Sequence, residues 1–195
     1  RQLKWPTNEI YYQDGSDSSQ NFMFLLGMEP SLKWRTYCDA VLDLAMQSGV
    51  HTVVHLGALL DAIPHTRDLV LTGSSSDAPL REKLAELDIR PSGYQGPSGI
   101  SSAMMERCAA KGLQFVTLWG HSSHYLQTSP NYKVTYGVVK TACRLLNLEL
   151  DLKELETAAA TFQRELHKVV EEDSQLTSYV KKLEARFDDA LLSLT

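Results

Sequence analysis

From Asn21 to Asn147 the sequence alternates short apolar runs with longer segments of helical spacing, which restricts the chain to a few architectures. Asn21–Leu26 (NFMFLL) and Val50–Leu56 (VHTVVHL) are β-rich, and the first is apolar almost throughout, as a strand covered on both faces would be. Between them Leu32, Val41, Leu42, Ala45 and Met46 fall at helical spacing. Ser31 can cap that helix and Gly49 can stop it. Strand, helix and strand with short joints predict a right-handed parallel crossover. Asp68–Thr72 (DLVLT) and Gln114–Trp119 (QFVTLW) are predicted as further strands. Helices are expected over Asp77–Leu87, capped by Asp77, over Gly99–Lys111, ended by Gly112, and from Pro130-Asn131 to near Asn147. Upstream, Glu9–Gln13 (EIYYQ) and NFMFLL flank the polar Asp14–Gln20 and read as a hairpin. The expected fold class is a three-layer α/β domain over residues 1–150.

The pattern breaks at Asp151, after which no glycine or proline occurs through Thr195. Asp151 with Glu154 is a capping-box spacing. Leu152, Leu155, Ala159, Phe162, Leu166, Val169 and Val170 form one apolar stripe. Leu176, Tyr179, Val180, Leu183, Phe187 and Leu191 form a second, with Asp173-Ser174 as the joint. Residues 151–195 therefore read as a helical hairpin, packed on the domain or reaching a partner. Ten acids against six bases put −4 of the chain's net charge of −5 in this segment. No basic block exists, so nucleic acid and anionic membrane surfaces are not expected partners. No apolar run approaches the roughly 18 residues of a membrane span. Cys38, Cys108 and Cys143 are odd in number and far apart, which predicts buried reduced thiols and a cytoplasmic setting.

Candidate site residues cluster at predicted strand exits, where open α/β sheets bind ligands. Glu29 in Gly27-Met28-Glu29-Pro30 could bind a hydroxyl-bearing ligand or act as a base. It could equally satisfy the first amides of the Ser31 helix. Arg35 could hold an anion or pair with Glu29. Gly57 in LGAL admits either a ligand's close approach or a tight strand exit. His65 and Arg67 follow Pro64 in a stiffened loop, facing a pocket or solvent. Tyr94, Gly96 and Gly99 lead into a helix whose free amides suit an anion, although neither a Walker sequence nor GxGxxG is present. His121 and His124 are spaced for two metal ligands only on a shaped loop, and no acidic third ligand is nearby in sequence. Ser122 or Ser123 with His124 lacks a GxSxG elbow and an evident acid. His51 and His55 share a strand face. No catalytic set, metal site or cofactor is assigned.

Together the stretches GMEPSLKWR (27–35), LGALLDAIPHTR (56–67), TGSSSD (72–77), GYQGPSGI (93–100), LWGHSSHYL (118–126) and SPNYK (129–133) resemble the actinobacterial and archaeal branch of the proteasome assembly chaperone 2 family. The resemblance implies a phosphorylase/hydrolase-like α/β fold, similar to purine nucleoside phosphorylases, with a C-terminal helical extension. It implies self-association, with a trimer favoured, and a partner-binding role for the C-terminal helices. It also implies a strand and turn ahead of residue 1, so N-terminal strands are expected to be missing. Eukaryotic relatives dock through a hydrophobic-Tyr-any residue ending, whereas this chain ends Leu192-Ser193-Leu194-Thr195. Two functions follow: a non-enzymatic assembly or scaffolding protein, or a nucleoside- or small-ligand-processing enzyme using the cleft at the strand ends. An ATP-dependent ligase would need phosphate-cradling loops and metal-binding carboxylates that the sequence does not show.

Overall fold

The computed structural model describes residues 5–13, 21–96, 99–126 and 130–192. Strands β1 (Glu9–Gln13) and β2 (Phe22–Leu26) pair antiparallel with Tyr11 opposite Phe24, as the hairpin reading expects. The Asp14–Gln20 turn lies outside the described residues, as do Pro97, Ser98 and the last three positions. The expectation that NFMFLL is covered on both faces is wrong: Phe24, Leu25 and Leu26 are exposed. The apolar content of a strand cannot show what lies over it, and β1 is the only sheet neighbour of β2 among the described residues.

Helix α1 (Trp34–Gln47) starts two residues later than expected. Ser31 does not cap it. Lys33 takes that position with φ 60°, and the Trp34 indole donates to the Pro30 carbonyl at 2.6 Å. The next strand, β3 (Thr52–Asp61), runs through the LGALLD stretch that reads as an exit. Gly57 therefore sits mid-strand. A Cβ there would lie 2.5 Å from the Trp119 ring, so the missing side chain makes room for that indole.

Strand β4 (Leu71–Ser75) begins three residues beyond the expected DLVLT start, and α2 (Ala78–Glu86) follows with Asp77 accepting from the Leu80 amide at 3.1 Å. Helix α3 (Ile100–Lys111) ends at Gly112, whose φ of 72° is the left-handed turn that glycine accepts without strain. Strand β5 (Gln114–Ser123) extends through GHSS, four residues past its expected end. Helix α4 (Tyr132–Leu146) is capped by Asn131 and closed by Asn147, as read from sequence.

The main sheet has the order β3-β5-β4, with β3 parallel to β5 and β4 antiparallel to it. The predicted crossover is placed differently: β2 and β3 lie in separate sheets, and the parallel pair is β3 with β5. Side chains alternate across β5, so it serves two cores. Val116 and Leu118 pack with Leu80 and Leu84 of α2 and with Ala142 and Leu145 of α4. Phe115 packs with Leu42 of α1 and Cys108 of α3. All three cysteines are buried and unpaired, which matches their reading as small hydrophobes.

Helix α5 (Lys153–Glu172) lies along α4, where Tyr132 and Phe162 meet edge to face at 6.3 Å. The capping box is not formed: Leu152 holds the cap position, and Asp151 accepts from the Lys153 amide instead. Helix α6 (Ser174–Leu192) folds back after Asp173, whose carboxylate accepts from the Gln175 and Leu176 amides. Both apolar stripes face inward at Ala159, Val170, Val180 and Leu183, while Val169 and Leu191 remain exposed. Among the described residues no helix is long and apolar enough to cross a membrane.

Candidate functional site

Because β3 and β5 are parallel and in register, Asp61 and Ser123 end the two strands side by side. That end of an open α/β sheet is where ligand chemistry usually gathers. Here it carries a hydrogen-bonded chain of side chains. The Asp61 carboxylate accepts from His121 Nδ1 at 2.7 Å, and His121 Nε2 lies 3.0 Å from the Thr72 hydroxyl. Burial pushes Asp61 upward, but hydrogen bonds from His121 and the Ala62 amide, with the nearby His121 and His124, outweigh it and hold the acid below its usual range. One strand-turn later, His124 Nδ1 donates to the Asp61 carbonyl at 3.0 Å. That fixes Nε2 as the acceptor of the Tyr179 hydroxyl at 2.9 Å.

The PHTR loop meets the same end of the sheet. His65 is 5% exposed, and Tyr125 holds it twice. The His65 amide donates to the phenol oxygen at 2.8 Å, and the phenol lies 2.6 Å from Nδ1. The phenol oxygen keeps a second lone pair and its own proton, so either it or Nδ1 can be the donor; Nε2 has no partner among the described residues. Burial, Lys133 and His167 all depress this imidazole's pKa, against a smaller opposing pull from Glu184. Lys133 donates to the carbonyls of His65 at 2.8 Å and Arg67 at 2.6 Å, and its burial lowers its own pKa.

Arg67 sends its guanidinium to α6. Its Nε and Nη2 form a fork on the Asp188 carboxylate at 2.8 and 2.7 Å, and Nη1 reaches Glu184 at 3.1 Å. The Thr66 hydroxyl also bonds to Glu184. The Asp188 hydrogen bond is the main reason Arg67's pKa is raised, and the same contact holds Asp188 below its ordinary value. From α5, Gln163 donates to the His65 carbonyl at 3.2 Å. The cavity left among His65, His121, Ser122, Asn131, Lys133 and Gln163 is about 20 Å³, room for a single water. The larger groove, about 610 Å³, runs along α5 beside Tyr132 and Phe162.

The remaining candidates form a second group around the start of α3. Glu29 accepts from the Ile100 amide at 3.1 Å, so its carboxylate serves α3 and not the α1 start. Gly99 occupies the α3 cap position without a side chain. Arg35 does not pair with Glu29; it meets Glu106 at 3.4 Å on an exposed face. Tyr94 is 71% exposed, and its hydroxyl closes over Gly96. His51 precedes β3, so it does not share a strand with His55, whose ring stands edge-on to Trp119 at 5.2 Å. Sequence reasoning grouped Glu29, His65, Arg67 and His124 in one cleft; the last three meet, and Glu29 lies apart at the start of α3. It missed Asp61, Tyr125, Lys133, Tyr179, Glu184 and Asp188. Asp61 and Tyr125 sit inside recognised stretches, but the α6 partners lie well over a hundred residues from the loop they hold. Among the described residues no group of three or more His, Cys, Asp or Glu is arranged to hold a metal.

The family model described as the PAC2 family matches residues 1–170. The chain belongs to the PAC2 family. Two solved PAC2-type structures are 32% identical over 92% of this chain. One is a Streptomyces avermitilis PAC2 family protein, with TM-score 0.78 and 74% of its own length covered. The other is the Mycobacterium tuberculosis proteasome-assembly chaperone homologue Rv2125, with TM-score 0.79 and 75% covered. A third, the M. tuberculosis protein of unknown function Rv2714, superposes with TM-score 0.85 at 29% identity over 97% of this chain. The PAC2 chain spans 63% of the length of Rv2714. No protein with a curated description matches it.

Proposed function

We propose that this PAC2 chain is a non-enzymatic, assembly-chaperone-like scaffold that works through self-association and protein contacts. The observation that carries the reading is the state of the strand ends. His65, Arg67, His124 and Tyr125 are all engaged in contacts that tie together the loop, the β5 end and α6, around a cavity of about 20 Å³. A substrate pocket is normally at least ten times larger. By contrast, the β1–β2 hairpin displays Ile10, Tyr11, Tyr12, Phe24, Leu25 and Leu26, the kind of apolar surface that marks a protein contact. The description of Rv2125 as a proteasome-assembly chaperone homologue supports the same reading. In this account the cores on both faces of β5 belong to a three-layer, phosphorylase/hydrolase-like body over residues 1–150. Residues 151–195 form an arm that also offers its outer face to a partner in the cytoplasm, and the assembly is a trimer. Light scattering on the purified protein tests this. A mass three times the 21.8 kDa of one chain is expected. A monomer at every concentration, with no protein recovered on an affinity-tagged chain, would sink the proposal.

A second reading has one observation in its favour. Thr72, His121 and Asp61 stand in the order hydroxyl, imidazole, carboxylate at 3.0 and 2.7 Å. A cleft enzyme acting on nucleosides or similar ligands would use that relay. Thermal-shift screening with nucleosides, nucleotides and phosphate separates the readings, since a ligand at about 100 times its Kd adds roughly 2.7 kcal/mol. No shift with any of them ends the enzymatic reading.

A further inference from the structure

We propose that the α5–α6 hairpin is a pH-sensitive latch: it docks on the body while His65 is neutral and lets go when that imidazole takes a second proton. His65 belongs to the body, but it lies under the hairpin, with the His167 ring of α5 centred 6.5 Å away. It is buried, and its Nε2 finds no partner among the described residues. Its Nδ1 is hydrogen-bonded to the Tyr125 hydroxyl, whose oxygen also takes the His65 amide. A second proton on the ring makes both nitrogens donors, so the charged imidazole holds an Nε2–H without an acceptor in a buried site.

The charges around His65 make that proton costly. Lys133 of α4 lies beneath it, held by the His65 and Arg67 carbonyls. His167 approaches from α5, beside Glu171 at 3.3 Å, and both Lys133 and His167 disfavour charge on His65. Glu184 of α6 pulls the other way but is shared with Arg67 and Thr66. Arg67 and Asp68 on its own loop, and His121 of β5, line the same small cavity. The body carries Lys133 and part of the burial whether or not the arm is docked, whereas His167 and the cover that Phe162, Gln163 and Leu166 of α5 add to the cavity act only when α5 is down. Undocking therefore relieves part of the penalty, and protonation favours the released arm. The sign follows: a histidine depressed in the docked state stabilises docking fully above its ordinary value of 6.5, and that contribution is lost as pH falls below it.

Two-dimensional NMR and hydrogen exchange on the intact protein, from pH ~8 to ~5, test the latch. Protection at Val180 and Leu183 in the arm is expected to fall on the order of tenfold for each unit of pKa depression, while Val116 and Leu118 in the body keep theirs. The midpoint should lie below 6.5 and coincide with the titration of the His65 ring itself. His65→Gln, which cannot take the charge, should keep the arm docked to pH ~5. If that variant does not fold, the ring titration in the wild type decides alone. Arm protection that ignores pH, arm and body opening together, or a His65 midpoint that differs from that of the arm would each overturn the proposal.

Discussion

Two peripheral regions of this molecule are built on opposite principles. At the seam between the strand ends and α6, nearly every polar side chain has a partner, from the Arg67–Asp188 fork to the His124–Tyr179 contact. At the β1–β2 hairpin, six large apolar side chains have little over them. A two-stranded hairpin is marginal without something packed on it, whereas the seam is complete within one chain. The difference teaches which residues are available. Those that look most chemical in the sequence are occupied in holding structure, and those that look like core are left to make contacts.

Variants can break the comparison from its strongest side. Lys133→Met should be the largest loss, about 2–3 kcal/mol by chemical denaturation, because it takes the donor from the half-buried Arg67 carbonyl and from that of buried His65. A stability unchanged from wild type would mean the seam is not held from beneath. Tyr125→Phe should cost about 1–2 kcal/mol, since the phenol both accepts the His65 amide and bonds to its ring. Acid should reach the seam next. Asp61 is held below its ordinary value, so its contribution is present above an unfolded pKa of 3.8 and disappears as pH falls through the folded one. Asp61→Asn should flatten the stability profile below pH ~4, and a profile matching the wild type would remove Asp61 from the account. The smallest effect on folding belongs to the hairpin. Phe24→Ser with Leu26→Ser should change stability by no more than about 0.5 kcal/mol each and yet reduce association seen by light scattering. An unaltered mass would show that this face is not the contact surface.

Much of the fold was legible because local rules agreed with it. Asp77, Gly112, Asn131 and Asn147 cap helices where turn chemistry places them, and the two stripes after Asp151 turn inward at Ala159, Val170, Val180 and Leu183. The strand ends were misjudged because glycine was read as punctuation. Gly57 and Gly120 lie inside β3 and β5, where partners need the room, and both strands continue past them. Exposure of NFMFLL depends on what stands beside a strand, which its own composition cannot reveal. The candidate site was half legible. Chemistry singled out His65, Arg67 and His124, but their partners Glu184, Asp188 and Tyr179 lie on a helix far along the chain, and nothing in the spacing ties one to the other. Arg35 shows the converse: its near neighbour Glu29 was the economical partner, and the α3 residue Glu106 is the actual one.

The central claim is that the PHTR loop holds the arm and does not serve a reaction. A double-mutant cycle of Arg67→Ala and Asp188→Ala, read as hydrogen-exchange protection at Val180 and Leu183, tests it most directly. The account expects each single variant to loosen α6 and the double variant to loosen it no further than the worse single. Strictly additive losses, or protection that survives Arg67→Ala, would contradict it.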